Sequence, residues 1–103
     1  MRKLHLSIAA AGDLKNILQY TFDNWGEIQF EKYKDTFQQA FDTLTLEPST
    51  PLIKKRDELF IGCLSVHSGH HLVFFRLDNM DIEIVRILHE KMDFSNHLDT
   101  DEK

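Results

Sequence analysis

The chain has 103 residues, 42% hydrophobic and 28% charged, with a formal net charge of −5. That length fits one domain and leaves little room for a second, and burial of only roughly two-thirds of the unfolded surface makes the aromatics carry much of the core. A single cysteine, Cys63, excludes an internal disulfide and a cysteine-rich metal site, and the acidic balance of both halves disfavours unaided binding of nucleic acid, whose phosphates call for a basic face.

No run approaches the roughly 20 apolar residues that span a bilayer, and MRKLHLSIAA lacks the continuous apolar stretch of a signal peptide. The expectation is a soluble intracellular protein. Lys3 to Ile8 alternates, with Leu4, Leu6 and Ile8 on one face, and predicts a half-buried strand. From Ala9 the period becomes helical. Leu14, Ile17, Leu18, Thr21 and Trp25 form a stripe, and Gly26 supplies a stop. A second helix is predicted from about Glu27 to Leu46, with Phe30, Tyr33, Phe37, Ala40, Phe41 and Leu44 on one face. The two helices form an antiparallel hairpin.

Pro48-Ser49-Thr50-Pro51 breaks the helix and opens a polar connection holding the one basic cluster, Lys54-Lys55-Arg56. Strands follow: Cys63 to His67, a turn at Ser68-Gly69, then His71 to Leu77, HLVFFRL. A turn at Asp78-Asn79-Met80-Asp81 leads into Ile82–Glu90. Short turns between neighbours predict an antiparallel meander. The fold class is therefore α+β: an N-terminal strand and a helix hairpin packed on one face of a curved antiparallel sheet. The charged tail 99–103 is expected to fray.

Candidate chemistry is sparse. His67, His70 and His71 cluster around Gly69, but adjacent strand residues point to opposite faces and do not converge on one ion. Ser65 and Ser68 lack a nucleophile elbow, and the four glycines are scattered singly rather than in a phosphate loop. Arg76, Arg86, His89 and Lys91 lie on the last two strands. Pleating sends Arg86 and His89, three apart, to opposite faces and puts His89 and Lys91 on the same one. Arg76, beside Phe74 and Phe75, is expected to be partly buried or paired with a carboxylate. No catalytic residue, cofactor or metal ligand is assigned.

The order of Asp13-Leu14, Trp25-Gly26, Arg56-Asp57-Glu58-Leu59, Gly69…His71…Phe74-Phe75-Arg76 and Arg86-Ile87-Leu88-His89…Met92-Asp93 resembles the ParE toxins of the ParE/RelE toxin–antitoxin superfamily. The resemblance runs from Leu6 to Leu98, so residues 1–98 are expected to form a single ParE-like toxin domain. It implies a bacterial cytoplasmic toxin that binds DNA gyrase, traps it with DNA cleaved and blocks replication. It also implies a ParD-type antitoxin that folds a disordered segment over the toxin, and no turnover by the toxin itself. The alternatives are a RelE-like ribosome-dependent mRNA endoribonuclease, for which His89 falls near the catalytic histidine of some members, and an attenuated or inactive toxin. The last is raised by Leu64 and His70, where arginines are frequent, and by Phe75, where tyrosine is common.

Candidate partner-binding residues are Trp25, Arg76, Arg86, His89, Lys91, Met92, Asp93 and Phe94. The low charge of HLVFFRL suggests that an antitoxin shields that strand. The exposed helix hairpin offers a face for a homodimer. No membrane and no direct nucleic-acid partner are expected.

Overall fold

The computed structural model describes residues 3–46, 51–79, 81–94 and 98. The expected break at 48–50, Met80 of the last turn, His97 and the tail 99–103 lie outside them. Strand β1 (Leu4–Leu6) ends at Ser7, whose side chain caps helix α1 (Ile8–Trp25) by accepting from the Ala10 N–H at 3.0 Å. The same hydroxyl donates to the Val85 carbonyl at 2.8 Å, tying the helix start to the last strand. Ile8, expected on the buried face of the strand, is instead the first helical residue and 95% exposed, because the strand ends at Leu6 and Ser7 caps the helix.

Gly26, at φ +90°, turns α1 into helix α2 (Glu27–Leu46), and its N–H satisfies the Phe22 carbonyl at 2.9 Å. Phe22 and Phe30 meet edge to face across this turn. The α2 stripe points inward as the spacing predicts, with Phe37 and Leu44 fully buried. The α1 stripe does so only as far as Thr21, since Trp25 at the helix end is 70% exposed.

Four more strands complete the sheet: β2 (Lys54–Lys55), β3 (Leu64–Ser68), β4 (His71–Asp78) and β5 (Asp81–His89). Their order is β1-β5-β4-β3-β2. The meander β3-β4-β5 is antiparallel as expected, with β2 added antiparallel at one edge. At the other edge β1 pairs parallel to β5, Leu4 opposite Ile82 and Leu6 opposite Ile84, so the sheet is mixed. No helix among the described residues is long and apolar enough to cross a membrane.

Both faces of the sheet carry a core. On the helix side Phe37 and Leu44 pack with Val66, Val73, Phe75, Ile82, Ile84 and Ile87. On the other side Cys63, Leu72, Phe74, Leu88 and Leu98 form a second cluster, closed by Leu59, Phe60, Val85 and Phe94. Each fully buried aliphatic or aromatic side chain contributes about 1.5–3 kcal/mol. The unbroken run Leu72-Val73-Phe74-Phe75 is thus buried on both faces by the chain itself, so the antitoxin shielding anticipated for HLVFFRL is already supplied internally. Phe75 likewise is fully buried in the main core, and the partly buried Leu64 packs against it.

Strand β5 does not keep a strict two-residue period. Phe74 lies opposite Arg86 but Phe75 lies opposite Ile84, which leaves Val85 as an extra residue and makes a bulge. Ile82 and Ile84 reach the helix-side core before it, and Ile87 reaches the same core after it. The bulge therefore shifts the pleat by one residue ahead of His89.

Candidate functional site

The end of the sheet where β4 begins and β5 ends opens into a cleft of about 830 Å³ beneath the helix hairpin. α1 contributes Asn16, Ile17, Tyr20, Thr21 and Trp25, α2 contributes Gln29 and Tyr33, and the sheet end contributes His70, His71 and His89. The lining is mainly apolar and aromatic, with no carboxylate and no lysine or arginine, as in many sites that accept a partner or ligand. Tyr20 and Trp25, 64% and 70% exposed, stand at its wall.

The floor is built around Tyr33. Its hydroxyl hydrogen-bonds His71 Nδ1, and its ring packs between Phe37 and the His71 imidazole. Gly69, at φ +62°, lies so close that a Cβ there would stand 2.6 Å from Tyr33 Cε1, so this turn takes glycine on grounds of both space and backbone. Burial raises the Tyr33 hydroxyl above its usual range. Burial also pushes the His71 imidazole down to about 4, helped by the neighbouring His89 and His70 rings, so it is neutral at physiological pH. His89 meets His71 edge-on with ring centres 5.2 Å apart, and His89 Nδ1 accepts from the Lys91 N–H at 3.2 Å.

His70 points out of the cleft floor toward Glu90, at 3.3 Å, and His67 meets the other oxygen of that carboxylate at 3.5 Å. The His70 hydrogen bond, followed by the pull of both rings, holds the Glu90 carboxyl below its ordinary value. His70 thus lines the cleft beside His71 while also meeting Glu90. Among the described residues no three histidine, cysteine or carboxylate side chains converge as metal ligands. Cys63 is fully buried and its thiol is pushed up to about 11 by burial, which keeps it from acting as a nucleophile.

A smaller recess of about 160 Å³ adjoins the cleft and shares Asn16, Ile17, His71 and His89 with it. Its far wall holds Asp13, Arg86 and Met92. Arg86 donates to both oxygens of Asp13, at 2.7 and 2.9 Å, and the Ile87 N–H donates to Asp13 Oδ2 at 3.0 Å. The Asp13 hydrogen bonds hold the Arg86 guanidinium above its already high value. Arg86 and His89, expected on opposite faces, both line this recess although their pairing with β4 is regular; the pair with Asp13 on α1 draws the Arg86 side chain to it.

The eight residues designated from the sequence are not brought together in one place. Trp25 and His89 face the large cleft, and Arg86, His89 and Met92 face the recess. Lys91 follows the end of β5 in a turn closed by the Met92 N–H on the His89 carbonyl, so it does not continue the pleat of His89. Its neighbour Asp93 is exposed. Arg76 and Phe94 lie elsewhere. Arg76 is exposed rather than partly buried and pairs with Glu83 at 2.7 Å, as the carboxylate alternative anticipated. Phe94 packs on Phe74 in the second core, beneath the Arg56 guanidinium, which lies 5.4 Å from the Phe94 ring centre. Tyr20, Tyr33 and His71 were missed. The spacing marks Tyr33 only as part of the inward stripe of α2, and its hydroxyl, a polar group on that face, is the signal of a further role.

The profile described as "ParE toxin of type II toxin-antitoxin system, parDE" matches residues 4–94. Toxin ParE1 of Mycobacterium tuberculosis is 34% identical over 94 residues, covering 90% of this chain and 94% of its own length. Toxin ParE1 of Caulobacter vibrioides is 31% identical over 98 residues, covering 95% and 99%. In fold, a solved structure of a chromosomal ParDE system from P. aeruginosa superposes with a TM-score of 0.71 at 20% identity, covering 86% of this chain and 96% of that one. The E. coli protein YafQ superposes at 0.62 and 12% identity, covering 87% and 94%. The match of nearly the whole chain to the family profile, with two relatives above 30% identity, makes this chain a member of the ParE toxin family of type II toxin–antitoxin systems.

Proposed function

We propose that the protein is a non-catalytic toxin that binds DNA gyrase, holds it with DNA cleaved and so blocks replication. The observation that carries this reading is full-length membership of the ParE family. The site is in keeping with it. The arginine of the adjoining recess is engaged by Asp13, and the cleft presents the neutral His71 and aromatic rings, with no lysine or arginine among its described lining to stabilise a departing phosphate. Purified protein is expected to inhibit gyrase supercoiling of plasmid and accumulate cleaved DNA. Inactivity in that assay, with cleavage of mRNA on ribosomes, supports the endoribonuclease instead; inactivity in both supports a degenerate toxin.

A ParD-type antitoxin neutralises the protein by ordering a segment across the aromatic cleft between hairpin and sheet. The exposed Trp25 and Tyr20 supply the kind of anchors on which such segments close. Hydrogen exchange of the toxin–antitoxin complex is expected to protect the end of α1 and the β3–β4 turn. Protection confined to the outer face of the hairpin would show that the antitoxin binds elsewhere.

A further inference from the structure

The Asp13 carboxylate is held by an arrangement of donors that would suit any small oxyanion. Arg86 offers Nε and Nη2 in fork geometry, and the Ile87 N–H adds a third donor from the strand just past the bulge. This cradle is not sealed. Arg86 and Asp13 side chains keep 24% and 16% of their surface, and both open onto the recess that His89 shares with the aromatic cleft. A single nucleic-acid strand meets its binding proteins through two groups, a phosphate on fixed donors and a base on an aromatic platform. Here the donors of the recess and the rings of Tyr20, Trp25 and Tyr33 lie on either side of His89.

We propose that Asp13 is a specificity-determining residue: its carboxylate occupies an anion cradle made by Arg86 and the Ile87 N–H, and so denies that cradle to the phosphate of single-stranded RNA. Asp13 is an internal substitute for the anion, and it offsets the charge of Arg86, the arginine that lines the recess among the described residues. This deepens the reading of the protein as an inhibitor without nuclease action. Its test uses RNA alone, so it and the gyrase assay fail separately.

The test measures binding of a short fluorescein-labelled oligouridylate by anisotropy across a series of salt concentrations. Asp13→Asn keeps the shape and one acceptor for the Ile87 N–H while removing the charge. It is expected to bind about tenfold tighter than wild type at low salt, the worth of one charge-assisted phosphate contact. Its plot of log affinity against log salt should be steeper by about 0.7. The double variant D13N/R86Q should return to wild-type affinity and slope, which a nonspecific effect of losing one negative charge would not do. A folded D13N with unchanged affinity overturns the proposal, and so does a gain that survives in the double variant. Should D13N fail to fold, R86Q in the wild-type background decides. Affinity within about threefold of wild type supports a silenced arginine, and a loss of about tenfold or more overturns it.

Discussion

His71 shows at the scale of one side chain how burial sets chemistry at this cleft. Its ring lies among Tyr33, Phe37 and His89, and burial brings its pKa from 6.5 to about 4. The unfolded chain therefore binds a proton at this position that the folded chain refuses. The resulting stability is fully present above pH 6.5 and is lost as pH falls through 4. After discounting for the exposed part of the ring, the loss is about 1–2 kcal/mol. Urea midpoints between pH 7 and 4 are expected to drop for wild type, with a shallower drop for His71→Gln. Equal slopes would mean that His71 charges freely in the fold. The relation of Arg86 to His89 was the residue-scale feature least visible beforehand. A strict pleat separates them, and what brings both to one recess is the ion pair that draws Arg86 to Asp13 on α1, a partner distant in sequence.

Among the elements, both helices and the three-strand meander were legible because each carries a sustained period and a recognisable stop. The partner of β1 was not, since three residues joined to the sheet through two helices contain no turn that names a neighbour. The second core was missed although LVFF, with no polar residue in alternation, is the pattern of a strand covered on both faces. Ser7 joins three elements, capping α1 through Ala10 and bonding the Val85 carbonyl at the bulge next to β1. Ser7→Ala removes both bonds and is expected to cost about 1–2 kcal/mol, read from chemical denaturation. A change below about 0.3 kcal/mol would mean that water replaces both contacts without loss.

For the molecule as a whole, charge and family bear on the same question. An acidic chain with a net charge of −5 is poorly suited to hold RNA by its phosphates, and the arginine bordering its cleft is committed to Asp13. The family was legible from the order and spacing of short pieces such as Trp25-Gly26 and Arg86-Ile87-Leu88-His89, and the profile match over residues 4–94 agrees with it. The cleft was not, because its walls come from residues as distant as Asn16 and His89, which only the folded sheet end brings together. The central claim is action on gyrase, and the most direct measurement is a plasmid supercoiling and cleavage reaction with purified gyrase and protein. Relaxed plasmid is expected to stay relaxed, and linear DNA to accumulate with toxin concentration. Unimpaired supercoiling with no linear product would contradict it.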